Sequence, residues 1–447
     1  MARLGLRGAR SSWRFRLLRL DGAQQRGGQK SDNYNLLVDG FQQGHLGMAA
    51  TPDPELLKLA PEDRPGLAPF LLDASLYQDR YYLYFGVTPV VLLFWPFAVL
   101  TGHDLPVAVA AVLFAVAALL LSFAWWREIR SRFFPTLAVG WDAVAILALG
   151  FCTIMPSTLR RPLFYEVAIT AGWTFGALML WALARALRSP RPARWLVLAG
   201  AAAGLAIGAR ANLAPVALLA LTVGAAFAAR ERGPEWRRVV AWVAWAAAGA
   251  LPVGVGLAAY NYARFGHIFE FGHSYQLGLN PEKMFRVTNL AHNIPLYYLT
   301  PPQFSPYFPF VAPAEEPPKP VDYIGREHVH GELVWTLIVG LAVAGVAVAR
   351  RWQLAARFGI VALPVVIWFL GNLVVTSLTG VRANRYMLDF HSVLVWVTLG
   401  VLGILLAEGR VIRRVVAGAV GMLMTCAILF NGFASMQVHG FSRQRLP

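Results

Sequence analysis

The chain has 447 residues, a formal net charge of +16 and 57% hydrophobic residues, with a mean hydropathy of +0.51. Only 14% of its residues are charged, against about 25% in an ordinary soluble domain; with repeated apolar runs of roughly 20 residues, this describes a multi-pass membrane protein. The basic excess sits at the ends of those runs instead of on one soluble patch, which excludes nucleic acid as a partner and points to anionic membrane lipid.

Residues 1–30 form a basic segment with Arg3, Arg7, Arg10, Arg14, Arg16, Arg19 and Arg26 but no apolar run long enough to span. A secretory signal needs such a run after its basic start. Residues 31–104 read as a first outer loop, polar and proline-punctuated through residue 82. Within it, 83–101 (LYFGVTPVVLLFWPFAVLT) is apolar but interrupted by Gly86, Pro89 and Pro96, which suits an interfacial or re-entrant segment buried against protein. Spans are predicted near 105–126, 135–155, 163–187, 195–209, 212–229 and 239–260, forming a bundle over 105–260. A long outer loop follows at 261–332. A C-terminal bundle over 333–434 holds spans near 333–350, 358–378, 390–407 and 415–434, and 435–447 is a tail. The predicted fold is all-α, a polytopic membrane helix bundle of about ten spans with outer interfacial helices. Cys152 and Cys426 lie inside apolar runs, without metal or disulfide spacing.

Five short arginine-rich loops, at Arg127/Arg130/Arg132, Arg185/Arg188/Arg191/Arg194, Arg230/Arg232/Arg237/Arg238, Arg350/Arg351/Arg357 and Arg410/Arg413/Arg414, punctuate the spans. Loops of this kind stay cytoplasmic, so the intervening ones face outward. That parity places residues 31–82 outside, where an outward loop normally follows a first transmembrane helix; a first helix is therefore expected to be missing from this sequence. The long outer loop is rich in aromatics, which argues against disorder. Those rings sit by default at the lipid headgroup level, and the other use is the floor of a sugar or lipid pocket.

Several arginines break the inside rule. Arg160 and Arg161 lie in PSTLRRPLFYE, Arg210 in GARANLAP, and Arg382 and Arg385 in VRANRYMLDF, where Tyr386 follows. Arginine in hydrocarbon costs roughly 2.5–3.5 kcal/mol on insertion scales, so such residues line a polar cavity or find a partner. As a cluster they suit phosphate oxygens, which the guanidinium fork grips well. The competing use is pairing with a nearby carboxylate, as Arg385 and Asp389 are four apart on a predicted helix.

The outward carboxylates are Asp32 and Asp39 in SDNYNLLVDGFQQGHLGM, Asp73 in LLDASLYQDRYYLYFGVTP, and Glu166. Asp32 and Asp39, seven apart, share a helix face with about 10 Å between their Cα atoms. One suits a general base while the other positions substrate or a metal; Asp32 with Asn33 equally suits a helix N-cap, the commoner use of such residues. Asp142 lies within a span and is expected to pair with an inner arginine. His267, His273, His292, His328 and His330 share the long loop without a convergent ligand set, so any metal is left open, a divalent ion being the one the carboxylates would take.

In their order and shared topology these segments resemble the GT-C superfamily of integral-membrane glycosyltransferases, nearest to polyprenyl-phosphate-dependent enzymes of the protein-mannosyltransferase and aminoarabinose-transferase type. SDNYNLLVDGFQQGHL looks like the acidic first-loop motif, DASLYQDRYYLYFGVTPVVLLFWP like the outer interfacial stretch, RRPLFYEVAI like the second acidic loop and GARANL like the arginine-bearing turn. NYARFGHIFEFGHSYQL and NRYMLDF resemble segments common in bacterial relatives. The likeness covers 31–410. It implies transfer of a sugar, with inversion, from a polyprenyl-phosphate donor to an acceptor on the outer face of a bacterial plasma membrane. By the same resemblance Asp32 is the base, with Asp39 second; Glu166 is the second-loop acid that positions acceptor or metal; and Arg210 and Arg385 hold the lipid phosphate. Asp73, Arg160, Arg161 and Tyr386 complete the expected substrate-binding set. The chain departs from the family in reading Asp32-Asn33 where many relatives show two acids.

Two other readings are carried beside it. A transporter or flippase of a lipid-linked or anionic substrate would place charges near the bilayer midplane and break helices in paired positions, whereas here the unusual charges gather at the outer rim. A noncatalytic membrane partner subunit would need neither base nor donor site. The sequence has no nucleotide-binding fingerprint, which disfavours a soluble sugar nucleotide as donor.

Overall fold

The computed structural model describes residues 32–59, 70–71, 73–277, 285–320, 323–325, 329, 352–407 and 410–436. The basic segment 1–30, the predicted span 333–350 and nearly all of the tail lie outside the described residues. Short elements come first: α1 (Asn33–Gln42), α2 (Pro54–Lys58), a hairpin of β1 (Ala74–Tyr77) and β2 (Arg80–Leu83), a π-helical turn (Val90–Phe94) and α3 (Trp95–Thr101). The long helices follow: α4 (Val107–Phe133), α5 (Gly140–Phe151), the short α6 (Met155–Leu159), α7 (Phe164–Ala186), α8 (Pro192–Ala209), α9 (Ala214–Glu231) and α10 (Trp236–Phe265). After α11 (Leu290–Ile294) come short strands β3 (Gln303–Phe304), β4 (Val311–Ala312) and β5 (Ile324–Gly325), then α12 (Trp352–Ser377), β6 (Val381–Arg382), α13 (Leu388–Leu406) and α14 (Arg410–Met436).

Among the described residues, seven helices are long and apolar enough to cross a membrane: α4, α7, α8, 211–231, α10, 384–406 and 417–436. The protein is an all-α polytopic membrane helix bundle. Two expected elements are shorter than their hydropathy suggests. The run 135–155 yields the twelve-residue α5, about 18 Å long; it ends at Cys152, and Pro156 then opens α6 as a separate turn. Likewise 83–101 completes β2, turns through Val90–Phe94 and closes in α3, so no single helix spans there. The described apolar part of α12, 361–377, is also shorter than a full span.

Helix α7 is the axis of the bundle, buried along nearly its whole length and flanked by α4, α8 and α13. Trp173 packs edge-on to Trp396 at 5.5 Å between centroids, and Trp125 lies 4.6 Å from Trp396. Small residues let these surfaces approach: a Cβ on Gly176 would stand 2.5 Å from the Trp368 ring, and one on Gly200 1.9 Å from the Ala246 carbonyl oxygen of α10. Without a hydrophobic force between helices in lipid, such close contact supplies much of the association energy.

The basic loops gather at one end of this axis. Arg130 pairs with Asp142 at 2.9 Å, and the Trp126 indole donates to the same carboxylate at 2.9 Å. Arg185 reaches Glu128 at 2.6 Å, and Arg132 pairs with Glu231. Asp142 thus has a partner among the arginines of the basic loops. The 23 residues of α7, at 1.5 Å each, put its other end roughly 35 Å away.

At that far end the hairpin and the segment after it are fastened to the bundle. Gln78 and Asp79 take φ of 45° and 60°, the left-handed geometry a two-residue hairpin turn demands. Leu277 N donates to Ala74 O at 3.0 Å and Ser75 Oγ to Gly272 O at 2.5 Å, tying the hairpin to the long loop. Gly86 N donates to Ala209 O at 3.1 Å. A Cβ on Gly86 would stand 1.8 Å from the Gly208 carbonyl oxygen, whereas Gly140 faces open space. Gly86→Ala is therefore expected to cost roughly 1–3 kcal/mol by forcing the segment off α8, and Gly140→Ala under about 0.5 kcal/mol; thermal unfolding of both variants in detergent checks the difference.

Candidate functional site

Two acid–arginine pairs stand where α7, α8 and α13 meet at this end. Glu166 is held by its place in the first turn of α7, where Leu163 N donates to its Oε2 at 2.9 Å, half of a capping box. Its Oε1 faces Arg385 Nη1 at 3.7 Å. Arg385 extends from the 3₁₀ turn Asn384–Met387 that leads into α13, and its guanidinium lies 4.4 Å from the Tyr165 ring centroid and 5.7 Å from that of Tyr386. A cation over an aromatic face gains about 0.5–2 kcal/mol.

Arg210 ends α8 in extended backbone, and Pro215 in the first turn of α9 starts the next helix just beyond it. Its guanidinium pairs with Asp389, in the first turn of α13. Asp389 is fully buried, and its Oδ1 has no hydrogen-bond partner among the described residues. Tyr34 of α1 stacks on Phe94 at 5.0 Å. Tyr34 lies within electrostatic reach of both Arg210 and Glu166, and burial raises its phenol so that the ring stays neutral.

Asp73 enters from the hairpin. It is buried in the left-handed conformation (φ 54°), where an aspartate is better tolerated than most residues. The Tyr165 hydroxyl donates to it, and Gln276 Nε2 donates at 3.2 Å. Tyr165 thereby touches Asp73 with its hydroxyl and Arg385 with its ring face, joining the segment before β1 to the ion pairs.

Asp32 and Asp39 occupy the neighbouring α1. Asp32 is the N-cap: its Oδ1 accepts from Asn35 N at 3.3 Å and its Oδ2 from Asn35 Nδ2 at 2.5 Å. Asn35 Nδ2 also donates to Leu105 O at 2.9 Å, fixing this turn beside the loop before α4. Burial pushes the Asp32 carboxyl up to about 6; the Asn35 hydrogen bonds oppose the rise, and the charges of Asp104 and Asp39 assist it. A carboxylate of that basicity can take a proton near neutral pH.

The structure thus brings together Glu166, Arg210, Arg385, Tyr386 and Asp73, with α1 linked to them through Tyr34. Arg160 is half-buried and Arg161 exposed in the preceding loop, outside the two ion pairs. The alternative pairing of Arg385 with Asp389 is replaced by Arg385–Glu166 and Arg210–Asp389. Asp104, Tyr165 and Gln276 were not anticipated; the one sequence signal was Tyr165 directly preceding Glu166. Of the long-loop histidines, His292 contacts the Pro318 carbonyl at 2.9 Å and the Tyr323 ring, while His273 lies near Phe285; His328 and His330 lie outside the described residues. Among the described residues no group of three or more His, Cys, Asp or Glu is arranged to hold a metal ion.

No family model matches the sequence, and no curated protein matches it either. Solved structures do. The oligosaccharyltransferase of Archaeoglobus fulgidus in its apo form aligns with a TM-score of 0.53 at 12% identity, over 94% of this chain and 53% of that one. The same organism's enzyme in complex with an inhibitory peptide and a dolichol-phosphate aligns with a TM-score of 0.49 at 12% identity, over 93% of this chain and 52% of that one. The chain spans about half the length of the structures it matches. The apo likeness supports the GT-C-like membrane fold that the sequence resemblance implies.

Removing one partner of a buried pair leaves an uncompensated charge. Arg210→Met and Asp389→Leu are each expected to destabilise the protein by about 3–5 kcal/mol, and the double variant by clearly less than their sum. A double-mutant cycle from unfolding midpoints in detergent measures the coupling.

Proposed function

We propose that this protein is a membrane glycosyltransferase that moves a sugar from a polyprenyl-phosphate donor to an acceptor on the extracytoplasmic side of a bacterial plasma membrane, with inversion at the anomeric carbon. The observation that carries the reading is the meeting of Glu166–Arg385 and Arg210–Asp389 at the end of the bundle opposite the basic loops. The positive-inside rule makes that end the outer one. The GT-C-like fold shared with an oligosaccharyltransferase supports the same class.

In this reading the acceptor hydroxyl gives its proton to Asp32, or to Asp39 about two turns further along α1. The oxygen attacks the anomeric carbon from the side opposite the phosphate, the bond from carbon to phosphate oxygen breaks, and its electron pair leaves on the lipid phosphate. A positioned base is worth typically about 10²–10⁴-fold in rate. Charge developing on the phosphate is stabilised by Arg210 and Arg385, whose carboxylate partners hold them in place beforehand. Arg160, Arg161 and Tyr386 contact the donor near the headgroup, while Glu166 and Asp73 position the acceptor. The described residues include no group of three or more His, Cys, Asp or Glu arranged for a metal, and no step here runs through one.

Vesicles reconstituted with the full chain and a labelled polyprenyl-phosphate sugar test the proposal. The Asp32→Asn/Asp39→Asn variant is expected to lose about 10²–10⁴-fold in kcat with donor KM little changed. Undiminished transfer by that variant removes the base, and no transfer from any polyprenyl-phosphate donor by the wild type removes the function.

A pH profile gives an independent check. Because the Asp32 carboxyl is raised to about 6, only its deprotonated form accepts a proton, so kcat/KM should fall about tenfold per unit below that pH and level off above it. A rate unchanged from pH 7 down to roughly 4.5 contradicts Asp32 as the base.

A further inference from the structure

The stretch 301–312, PPQFSPYFPFVA, carries no charged side chain and is absorbed by none of the chemistry above. It folds as a small antiparallel hairpin, with Gln303 opposite Ala312 and Phe304 opposite Val311. Its aromatic side chains are largely exposed: Phe304 is 67% exposed, Tyr307 and Phe308 each 64%, and Phe310 45%. Phe310 stands at φ 68°, a conformation unfavourable for a bulky side chain. Water is a poor solvent for four neighbouring rings held this way.

What lies against the base of the hairpin identifies the medium at its tip. Phe304 packs edge-on to Phe430 at 6.0 Å and Phe310 to Phe433 at 5.6 Å, while Val311, Phe430 and Ala434 form a small core. Both phenylalanines belong to α14, whose outward face shows Val415, Met422, Leu429 and Met436 exposed. This helix is long and apolar enough over 417–436 to cross a membrane, and the hairpin rings pack on its last two turns. Asn431 Nδ2 donates to Phe151 O at 3.0 Å and Thr153 O at 3.1 Å, which places this end of α14 beside α6, at the Glu166 end of the bundle.

We infer that the 303–312 hairpin is a membrane anchor, with its aromatic tip seated in the interfacial zone of the lipid leaflet on the Glu166 side. Phenylalanine and tyrosine in a stretch free of charged residues fit that zone, where a ring buries apolar surface and a phenol reaches water. The anchor also bears on the site by a short route. Glu316, four residues after the hairpin, pairs with the buried Arg382 at 2.7 Å, and Arg382 lies three residues before Arg385. Seating the hairpin in lipid therefore holds β6, the strand that leads into the turn presenting Arg385.

Spin labels on the full chain, in a background carrying Cys152→Ala and Cys426→Ala and reconstituted into phosphatidylethanolamine–phosphatidylglycerol vesicles, test the inference. Collision with oxygen, which concentrates in lipid, is compared with collision with a water-soluble nickel chelate. Labels at Phe308→Cys and, as a second site, Tyr307→Cys should favour oxygen, approaching Met422→Cys on α14 and exceeding the exposed Lys58→Cys of α2 by about threefold or more in the oxygen-to-nickel ratio. Ratios equal to that of Lys58→Cys put the hairpin in water and overturn the inference. Protection from both reagents also overturns it, since a second copy or another protein then covers the rings.

Discussion

A guanidinium cannot stand bare among apolar helices, and the pairing of Arg210 with Asp389 meets that constraint for the whole upper part of the bundle. The pair joins the end of α8 to the start of α13. Because Ala209, the neighbour of Arg210, accepts from Gly86 N, the segment that carries Tyr84 and Phe94 is drawn onto the same point. Phe94 supports Tyr34, and with it the α1 turn that Asp32 caps. One buried ion pair thereby sets the position of three chain segments far apart in sequence.

The Arg185–Glu128 pair and the pairs at the other end of α7 use charge under different solvent conditions. At the basic end Arg185 is 44% exposed, so its pairing with Glu128 is screened and contributes under about 1 kcal/mol. At the other end Asp389 and Glu166 are buried, where desolvation consumes most of the attraction between partners. Such pairs are an expensive way to hold helices together. Apolar side chains of equal volume would serve stability as well or better.

Hydropathy and the positive-inside pattern made the long helices legible, since span length and arginine placement are local properties of the chain. Pairing was not. Arg385 and Asp389 looked like helical neighbours, but residues 384–387 form a 3₁₀ turn ahead of α13, so the four-residue spacing no longer brings the two side chains onto one face. Asp73 was visible as an outer carboxylate, yet its partners Tyr165 and Gln276 lie 92 and 203 residues away, a separation no periodicity encodes. The β1–β2 hairpin escaped notice because its apolar residues merge into the run beyond Leu83; the left-handed Gln-Asp turn is chemically permitted but lacks the glycine that usually announces it.

Asp32 is the N-cap that the sequence offered, and capping does not exclude the proton transfer proposed for the same carboxylate. A cap whose hydrogen bonds to Asn35 dominated would lie below the ordinary range, since donors favour the charged form. The Asp32 carboxyl instead sits at about 6, with burial outweighing both Asn35 contacts and Asp104 and Asp39 adding repulsion. The helix start therefore fixes where the oxygens point, and the loss of solvent sets how readily they take a proton. A cap in open solvent would have the first property without the second. A base on a flexible loop would lack the geometry that makes its basicity useful.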